Sequence, residues 1–304
     1  MRFDKVDLNL LVALDALLDC CSVTEAARQL HITQSAMSNA LRRLRVHFDD
    51  QLLVPLGRRM VSTERGQALR DPLREILLRI QQALTPVVDF DPTKSTRCFK
   101  LAVSDYFAFS YVPTLVEFCC LKGYSVTFDV QSLQPSITDG LNRGDIDLLI
   151  IPEIYCAEGH PSAPLFEDDW VCIASFEHPS TLTEEDFFAA THVIKGRVHD
   201  TYLPLDEWAV KRLGRQRHIV ATVPQYSYLP RTIANTQHIA TVPRRLATLH
   251  GMWTPLAVID APIAIPPLAE MMQWNAIHQN DSGLEWLRST MSEVLSALTL
   301  TKQW

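Results

Sequence analysis

Apolar positions in the first third of the chain recur at steps of three and four, the spacing of helices with one buried face. Leu11, Leu14 and Leu18, preceded by Asp7 or Leu8, predict a first helix that ends at Cys20 and Cys21. Ser22 stands three residues before Glu25, a capping-box spacing that starts a second helix with Val23, Ala26, Ala27 and Leu30 on its apolar face. The small Ala26 and Ala27 allow a neighbouring helix to approach closely. Thr33 caps a third helix; Ile32 and Met37 are spaced as a hydrophobic staple, and Met37, Leu41, Leu44 and Phe48 point inward. The stretch 52–61 then reads as a short hairpin with Gly57 at its turn.

Thr63 caps a further helix. Along it Leu69, Leu73, Ile76, Ile80, Ala83 and Val87 alternate steps of four and three, a heptad seam, with Arg70, Arg74, Glu75 and Arg79 off it. One helix does not bury this stripe and the flanking Leu77 and Leu84, so the seam predicts dimerisation; the competing reading is packing on its own domain. Pro72 either bends this helix or begins its main segment. The run Asp89 to Ser95 reads as a hinge.

Beyond the hinge strand and helix patterns alternate. Strands are expected at 99–103, 125–130 and 146–151, with helices at 112–121 and 137–142 between them, a βαβαβ order that implies a parallel sheet covered by helices. The run 170–174 crosses into a second subdomain containing a helix at 205–213, a strand at 219–222, a helix at 229–235 and a strand at 239–242. From about Ile263 the chain returns to the first subdomain and ends in a helix with Leu284, Leu287, Met291, Leu295 and Leu298 inward. The expected division is 1–62 for the helix-turn-helix domain, 63–88 for the linker helix, 89–97 for the hinge and 98–304 for the α/β part. In that part subdomain I takes about 98–165 and 265–304, and subdomain II about 166–264.

Composition narrows the class. With 304 residues, 47% apolar and 21% charged, the chain has material for two or three globular domains. No run of about 18 uncharged apolar residues suggests a membrane span. The apolar run 8–14 resembles a signal-peptide core, but Asp15 and Asp19 break it off and no small-residue cleavage site appears, so a cytoplasmic protein is expected. Seven cysteines, two adjacent pairs among them and no C-x-x-C, argue against a disulfide framework or zinc site. No metal or cofactor is expected.

The net charge of −7 argues against indiscriminate nucleic-acid binding. Its distribution says more. Between positions 26 and 48 there is no acidic residue, while Arg28, Arg42, Arg43 and Arg45 fall there and Arg58 and Arg59 come soon after. Gln34, Ser35, Ser38, Asn39 and Arg42 lie on the outer face of the third helix near its start. These are side-chain types that read base edges in a major groove: Gln and Asn pair with adenine, Arg with guanine, Ser with either sort of edge. A polar helix face alone is a solvated face; the acid-free run and the two capping signals turn the reading to a DNA-recognition helix. Thr33, Arg43, Arg58 and Arg59 complete the candidate DNA contacts, the last two on a wing touching phosphates or a minor groove.

The runs Asp7-Leu8-Asn9-Leu10-Leu11, Ser22-Val23-Thr24-Glu25-Ala26-Ala27 and Thr33 to Leu44 resemble the LysR-type transcriptional regulators, most of all the branch holding nodulation regulators and regulators of aromatic-compound degradation. Gly144-Asp145-Ile146-Asp147-Leu148 extends the likeness into the second half. Ser35 and Asn39 stand where many members have Pro and Arg. The resemblance implies an N-terminal winged helix-turn-helix with a linker helix, and a periplasmic-binding-protein-like α/β effector domain of two subdomains. It implies double-stranded DNA, a small-molecule inducer and RNA polymerase as partners, and a homodimer that pairs into a tetramer; the seam by itself supports only the dimer.

Clefts in open α/β sheets form beyond the carboxyl ends of strands. Those ends offer Ser104, Asp105 and Tyr106, then Gln131, then Pro152; subdomain II offers His199, Gln225, Tyr226 and Tyr228, and Asp169 lies near the crossover. Each is as readily part of the core as a ligand wall. Asp169 disfavours a carboxylate ligand, so an aromatic effector, a chlorinated phenol for an activator of aromatic catabolism, is the first expectation; a flavonoid or a non-aromatic metabolite is the alternative. The rival classes are an enzyme or a solute-binding protein with no DNA role. No G-x-S-x-G, G-x-x-x-x-G-K-[ST] or H-E-x-x-H occurs, which argues against an enzyme.

Overall fold

A computed structural model describes residues 7–57, 59–84, 89–134, 137–175, 181–196, 203–252 and 254–300. Arg58, Val87 and His199, expected at the wing, the seam and the cleft, lie outside the described residues. The chain divides into two compact units, residues 1–87 with 142–144 and residues 88–141 with 145–304. Among the described residues no helix is long and apolar enough to cross a membrane.

The first unit opens with α1 (Leu8–Cys20), whose N-cap Asp7 accepts from the Asn9 backbone N–H at 2.9 Å. Cys21 turns the chain out in the left-handed region, φ 46°. Ser22 caps α2 (Val23–Gln29) by accepting from Glu25 N at 3.3 Å, while the Glu25 carboxylate pairs with Arg28 at 2.9 Å. Thr33 caps α3 (Gln34–Phe48), accepting from Ala36 N at 3.1 Å. Ile32 stays 42% exposed, so the expected staple buries little. Met37, Leu41 and Leu44 meet Leu14, Leu17, Leu18, Ala26 and Ala27 in one core, and the two alanines are what let α2 and α3 cross closely.

The hairpin β1 (Leu53–Leu56) and β2 (Arg59–Ser62) is antiparallel with Val54 opposite Val61, and Gly57 takes φ +62° at its turn. Asp50 Oδ1 accepts from Leu52 N and from the Thr63 hydroxyl, both at 2.6 Å. Thr63 in turn accepts from Gly66 N at 3.0 Å, starting α4 (Glu64–Leu84). Gly66 is demanded by space: a Cβ there would lie 2.7 Å from the Leu52 carbonyl oxygen. Helix α4 runs through Pro72 as one element.

The heptad seam divides. Leu69 and Leu73 of the seam, with the flanking Leu77, pack into the core of the first unit, and Arg70 and Arg74 pair with Asp19 and Asp15 of α1, the former at 2.9 Å. At these positions the seam packs on its own domain, because α1 offers an apolar groove flanked by carboxylates. Ile76 is 50% exposed and Ala83 and Leu84 are exposed.

In the second unit β3 (Cys98–Val103) is followed by α5 (Asp105–Ser110) and α6 (Val112–Leu121), two helices where the pattern gave one. Then come β4 (Thr127–Ser132), α7 (Ile137–Asn142), β5 (Leu148–Pro152) and, after a 3-10 turn at Glu153–Tyr155, β6 (Ser162–Asp168). Strand β4 starts two residues later than expected because Ser125 is pinned to the preceding turn, its N–H and hydroxyl donating to Pro92 and Thr93 carbonyls at 2.8 Å each. Strand β5 also starts late: Asp147 accepts from Lys100 N at 2.8 Å and pairs with Arg97 at 3.0 Å.

Strand β7 (Trp170–Ser175) crosses over and is followed by α8 (Glu184–Ala189), β8 (Thr191–Lys195), α9 (Leu205–Arg212) and β9 (His218–Val223). A 3-10 turn at Tyr226–Tyr228 leads to α10 (Leu229–Ile233), β10 (Ala240–Pro243), α11 (Arg244–Gly251) and β11 (Leu256–Asp260). The chain returns with β12 (Leu268–Gln273) and ends in α12 (Ser282–Leu300), whose Leu284, Leu287, Met291 and Leu295 are buried.

The first sheet has the order β4-β3-β5-β12-β6. Its β3, β4 and β5 are parallel as expected, but β12 runs antiparallel to both neighbours, so the sheet is mixed. Strand β6 belongs here through Asp168, which moves the crossover from 166 to 169. The second sheet is β10-β7-β11, and the parallel pair β8-β9 joins it through a bridge between His192 and Ile239. The expected hinge is fixed at its far end: Phe90 packs on Phe99 and Trp286, and Arg97 pairs with Asp147 and, at 2.6 Å, with Asp281.

Candidate functional site

Helix α3 presents Gln34, Ser35, Ser38, Asn39, Arg42 and Arg43 to solvent, all exposed on its outer side. Arg42 Nη2 donates to Asn39 Oδ1 at 2.8 Å, so the two long side chains are already oriented together. The Thr33 hydroxyl is engaged locally, capping the helix and sharing a hydrogen bond of 3.0 Å with Ser35. Arg59 is exposed at the start of β2. Arg45 is withdrawn from the basic patch: it donates to the carbonyls of Gln51 and Leu53 at 2.9 and 2.8 Å, tying the wing to α3.

The cleft candidates separate into two hollows, because neighbouring residues of the β3–α5 turn face different ways. Ser104, Tyr106, Pro152 and Tyr226 line a cavity with about 530 Å³ of empty space, part of it open to solvent. Tyr155 and Trp170 complete an aromatic wall, and Leu133, Ile151 and Leu268 are apolar neighbours. The Trp170 and Tyr226 rings are 5.9 Å apart, and Trp170 Nε1 donates to the Pro266 carbonyl at 3.0 Å. Tyr106 donates to Asp168, and Tyr155 to the Leu203 carbonyl. Ser104 caps α5, accepting from Phe107 N at 3.1 Å.

Asp105, Gln131 and Gln225 instead line a second, more open hollow with Ser132 and Ser227. Burial raises the Asp105 carboxyl above the ordinary range, and the Ser227 N–H donating to it at 3.0 Å opposes that rise.

Two expected residues line neither hollow. Asp169 is exposed, and its carbonyl is taken by Arg244 N at 2.7 Å; Tyr228 is 49% exposed. The acid that turns inward near the crossover is Asp168, which accepts from Tyr106 and from Arg245 N at 3.2 Å. The charge argument against a carboxylate ligand, which rested on Asp169, therefore falls.

Besides Tyr155, the cavity has an amine and a carboxyl that sequence reasoning missed. Lys195, at the end of β8, lies with its ammonium 5.0 Å over the Tyr226 ring, and burial lowers its pKa while Asp105 works against that. Glu270, in β12, is 2% exposed, and burial alone pushes its carboxyl up to about 8. Its Oε2 has no hydrogen-bond partner among the described residues. The available signal was the lone acid in the strand Leu268-Ala269-Glu270-Met271-Met272.

Among the described residues no group of three or more His, Cys, Asp or Glu side chains is placed to hold a metal ion.

Two family models match the chain: the bacterial regulatory helix-turn-helix protein of the lysR family over residues 8–67, and the LysR substrate binding domain over residues 94–296. The chain is 36% identical over 301 residues to nodulation protein D 2 of Rhizobium leguminosarum bv. phaseoli, covering 98% of this chain and 95% of that one. It is 36% identical over 299 residues to nodulation protein D 1 of Bradyrhizobium elkanii, covering 97% and 95%. Among solved structures it is similar to a probable transcriptional regulator from Pseudomonas aeruginosa, with 27% identity, a TM-score of 0.64 and coverage of 95% and 97%. The chain belongs to the LysR family, whose members are effector-responsive, DNA-binding transcriptional regulators and not enzymes.

Proposed function

We propose that this regulator reads its operator with Gln34, Ser35, Ser38, Asn39 and Arg42, and that its effector is a multi-ring aromatic of the flavonoid type. The observation that carries the effector class is the wall of four aromatic rings, Tyr106, Tyr155, Trp170 and Tyr226, around one cavity with few polar groups. The relatives' name, nodulation protein D, supports a flavonoid over the chlorinated phenol first expected, since nodulation regulators form the branch this sequence resembles. Ile76, Ile80 and Ala83 supply a dimer seam; pairing into a tetramer, contact with RNA polymerase and residence on the nucleoid belong to the same reading. Effector binding shifts the angle between the two subdomains and so the pairing of dimers on DNA.

A thermal-shift screen of flavonoids, phenols and benzoates tests the effector class, because a ligand that favours the native state raises its melting temperature. Flavonoids are expected to give the largest rise. A shift with simple phenols alone returns the reading to the chlorinated phenol. For the DNA side, a gel shift with the chain's own upstream region at moderate salt is expected to give a discrete complex; no complex sinks it.

A further inference from the structure

We propose that Glu270 is a specificity-determining residue of the effector cavity, whose carboxyl donates a hydrogen bond to a ring carbonyl or similar neutral acceptor of the ligand. The inference rests on the reading of this cavity as the effector site and names the chemistry that site selects.

Glu270 sits in the middle of β12, opposite Pro152 of β5 and Phe166 of β6, and neither neighbour offers a polar side chain. It lines the cavity, it is almost wholly removed from solvent, and Oε2 finds no partner among the described residues. Leaving a buried polar atom unpaired is costly, because it has given up its hydrogen bonds to water without replacement. On the wall of a largely aromatic and apolar cavity, such a group meets its hydrogen-bonding need when a ligand brings the complementary atom.

The surrounding groups decide whether it donates or accepts. On α5 the Tyr106 hydroxyl is committed to Asp168 of β6 and lies 3.4 Å from the Tyr111 hydroxyl. Tyr111 also carries the Arg245 guanidinium of α11 over its ring at 4.8 Å. Beyond the 3-10 turn, Tyr155 donates to Leu203, and the Cys156 thiol is raised by burial and by the charges of Glu153 and Glu270. On β7 the Trp170 indole is committed to Pro266. Lys195 of β8 couples to Asp105 and Asp206 rather than to Glu270, and Tyr226 lies beneath it. Among the described residues no cation is therefore placed to hold Glu270 ionised. With its carboxyl pushed up to about 8, the group is mostly protonated at pH 7 and offers an O–H.

The test uses two uncharged probes with one tricyclic skeleton: flavone, which carries a ring carbonyl, and flavan, which lacks it. Binding to the full-length protein is followed by calorimetry at pH 7 and pH 9. At pH 7 flavone is expected to bind about tenfold tighter than flavan, the worth of one buried hydrogen bond. Between pH 7 and pH 9 flavone binding is expected to weaken about fivefold, as the protonated fraction of a group titrating near 8 falls from about nine-tenths to one-tenth and the ionised form binds flavone only as it binds flavan. Flavan faces the same lysine and tyrosines and is expected to hold its affinity. Glu270→Gln keeps a donor that does not titrate, so flavone binding becomes independent of pH; Glu270→Leu abolishes the preference for flavone. Equal affinities for the two probes on the wild-type chain, or a pH fall that persists in Glu270→Gln, overturn the role of Glu270 and leave the aromatic site standing. Binding of neither probe to a chain shown folded by circular dichroism overturns both readings. The wild-type comparison stands even where Glu270→Leu fails to fold.

Discussion

Arg42 donates through Nη2 to Oδ1 of Asn39 at 2.8 Å, one turn earlier on the exposed side of α3. The contact holds a guanidinium and an amide side by side, and both are groups that pair with bases in two-point fashion. Arg42→Ala is expected to cost about 1–3 kcal/mol of discrimination at one operator position. Asn39→Ala releases the guanidinium and is expected to blur the same position as well as its own. Binding measured against an operator set substituted one base pair at a time checks both. Equal losses on specific and random DNA would mean that the pair touches phosphates alone.

Arg45 makes a different prediction from its sequence neighbours. Its guanidinium satisfies the carbonyls of Gln51 and Leu53, where the chain leaves α3 for the wing. Hydrogen bonds from a charged donor contribute about 1.5–3 kcal/mol. Arg45→Ala is expected to lower the stability of the first unit by about 1–3 kcal/mol, read by urea unfolding, and to weaken DNA binding across all sequences by loosening the wing. Arg43→Ala, exposed and on the same helix, is expected to leave unfolding nearly unchanged.

Local signals carried the first unit: Ser22 and Thr33 cap their helices, though the Glu25 carboxylate pairs with Arg28 and leaves the Ser22 capping box half formed, and the Gly57 turn is where the hairpin pattern puts it. Such features depend on a few consecutive residues. The cavity was only partly legible because it is assembled from β5, β7, β8, β12 and the turn after β3, whose adjacency is set by sheet order and not by sequence distance. Alternation across the β3–α5 turn sends Ser104 and Tyr106 to one hollow and Asp105 to another, a choice that strand-end reasoning does not make. The pattern likewise missed β12, and with it Glu270, because an antiparallel return strand has no helix crossover to announce it.

The seam gives two opposite outcomes along one helix. Leu73 is buried in the core of the first unit, so Leu73→Ala is expected to destabilise that unit by about 2–5 kcal/mol. Ile76 is half exposed, so Ile76→Glu is expected to leave folding intact and to shift the dimer toward monomer. Sedimentation velocity and urea unfolding on both variants separate the effects. An Ile76→Glu chain that sediments as the wild type does would remove α4 from the interface.

Glu270 also marks the pH dependence of stability in the free protein. Its folded pKa, about 8, lies above the ordinary 4.5, so between those values the folded chain holds a proton that the unfolded chain has released. Stability falls with rising pH wherever the native state binds more protons. This contribution is therefore harmless below about pH 4.5, grows more destabilising up to about pH 8 and is constant above it. Glu270→Gln keeps the shape, and its neutral amide does not titrate. It is expected to stabilise the second unit at pH 8 by on the order of 1–3 kcal/mol more than at pH 5. Urea unfolding of wild type and variant at the two pH values reads the difference directly. A constant gap between them would show that the Glu270 carboxyl titrates alike in the folded and unfolded chain.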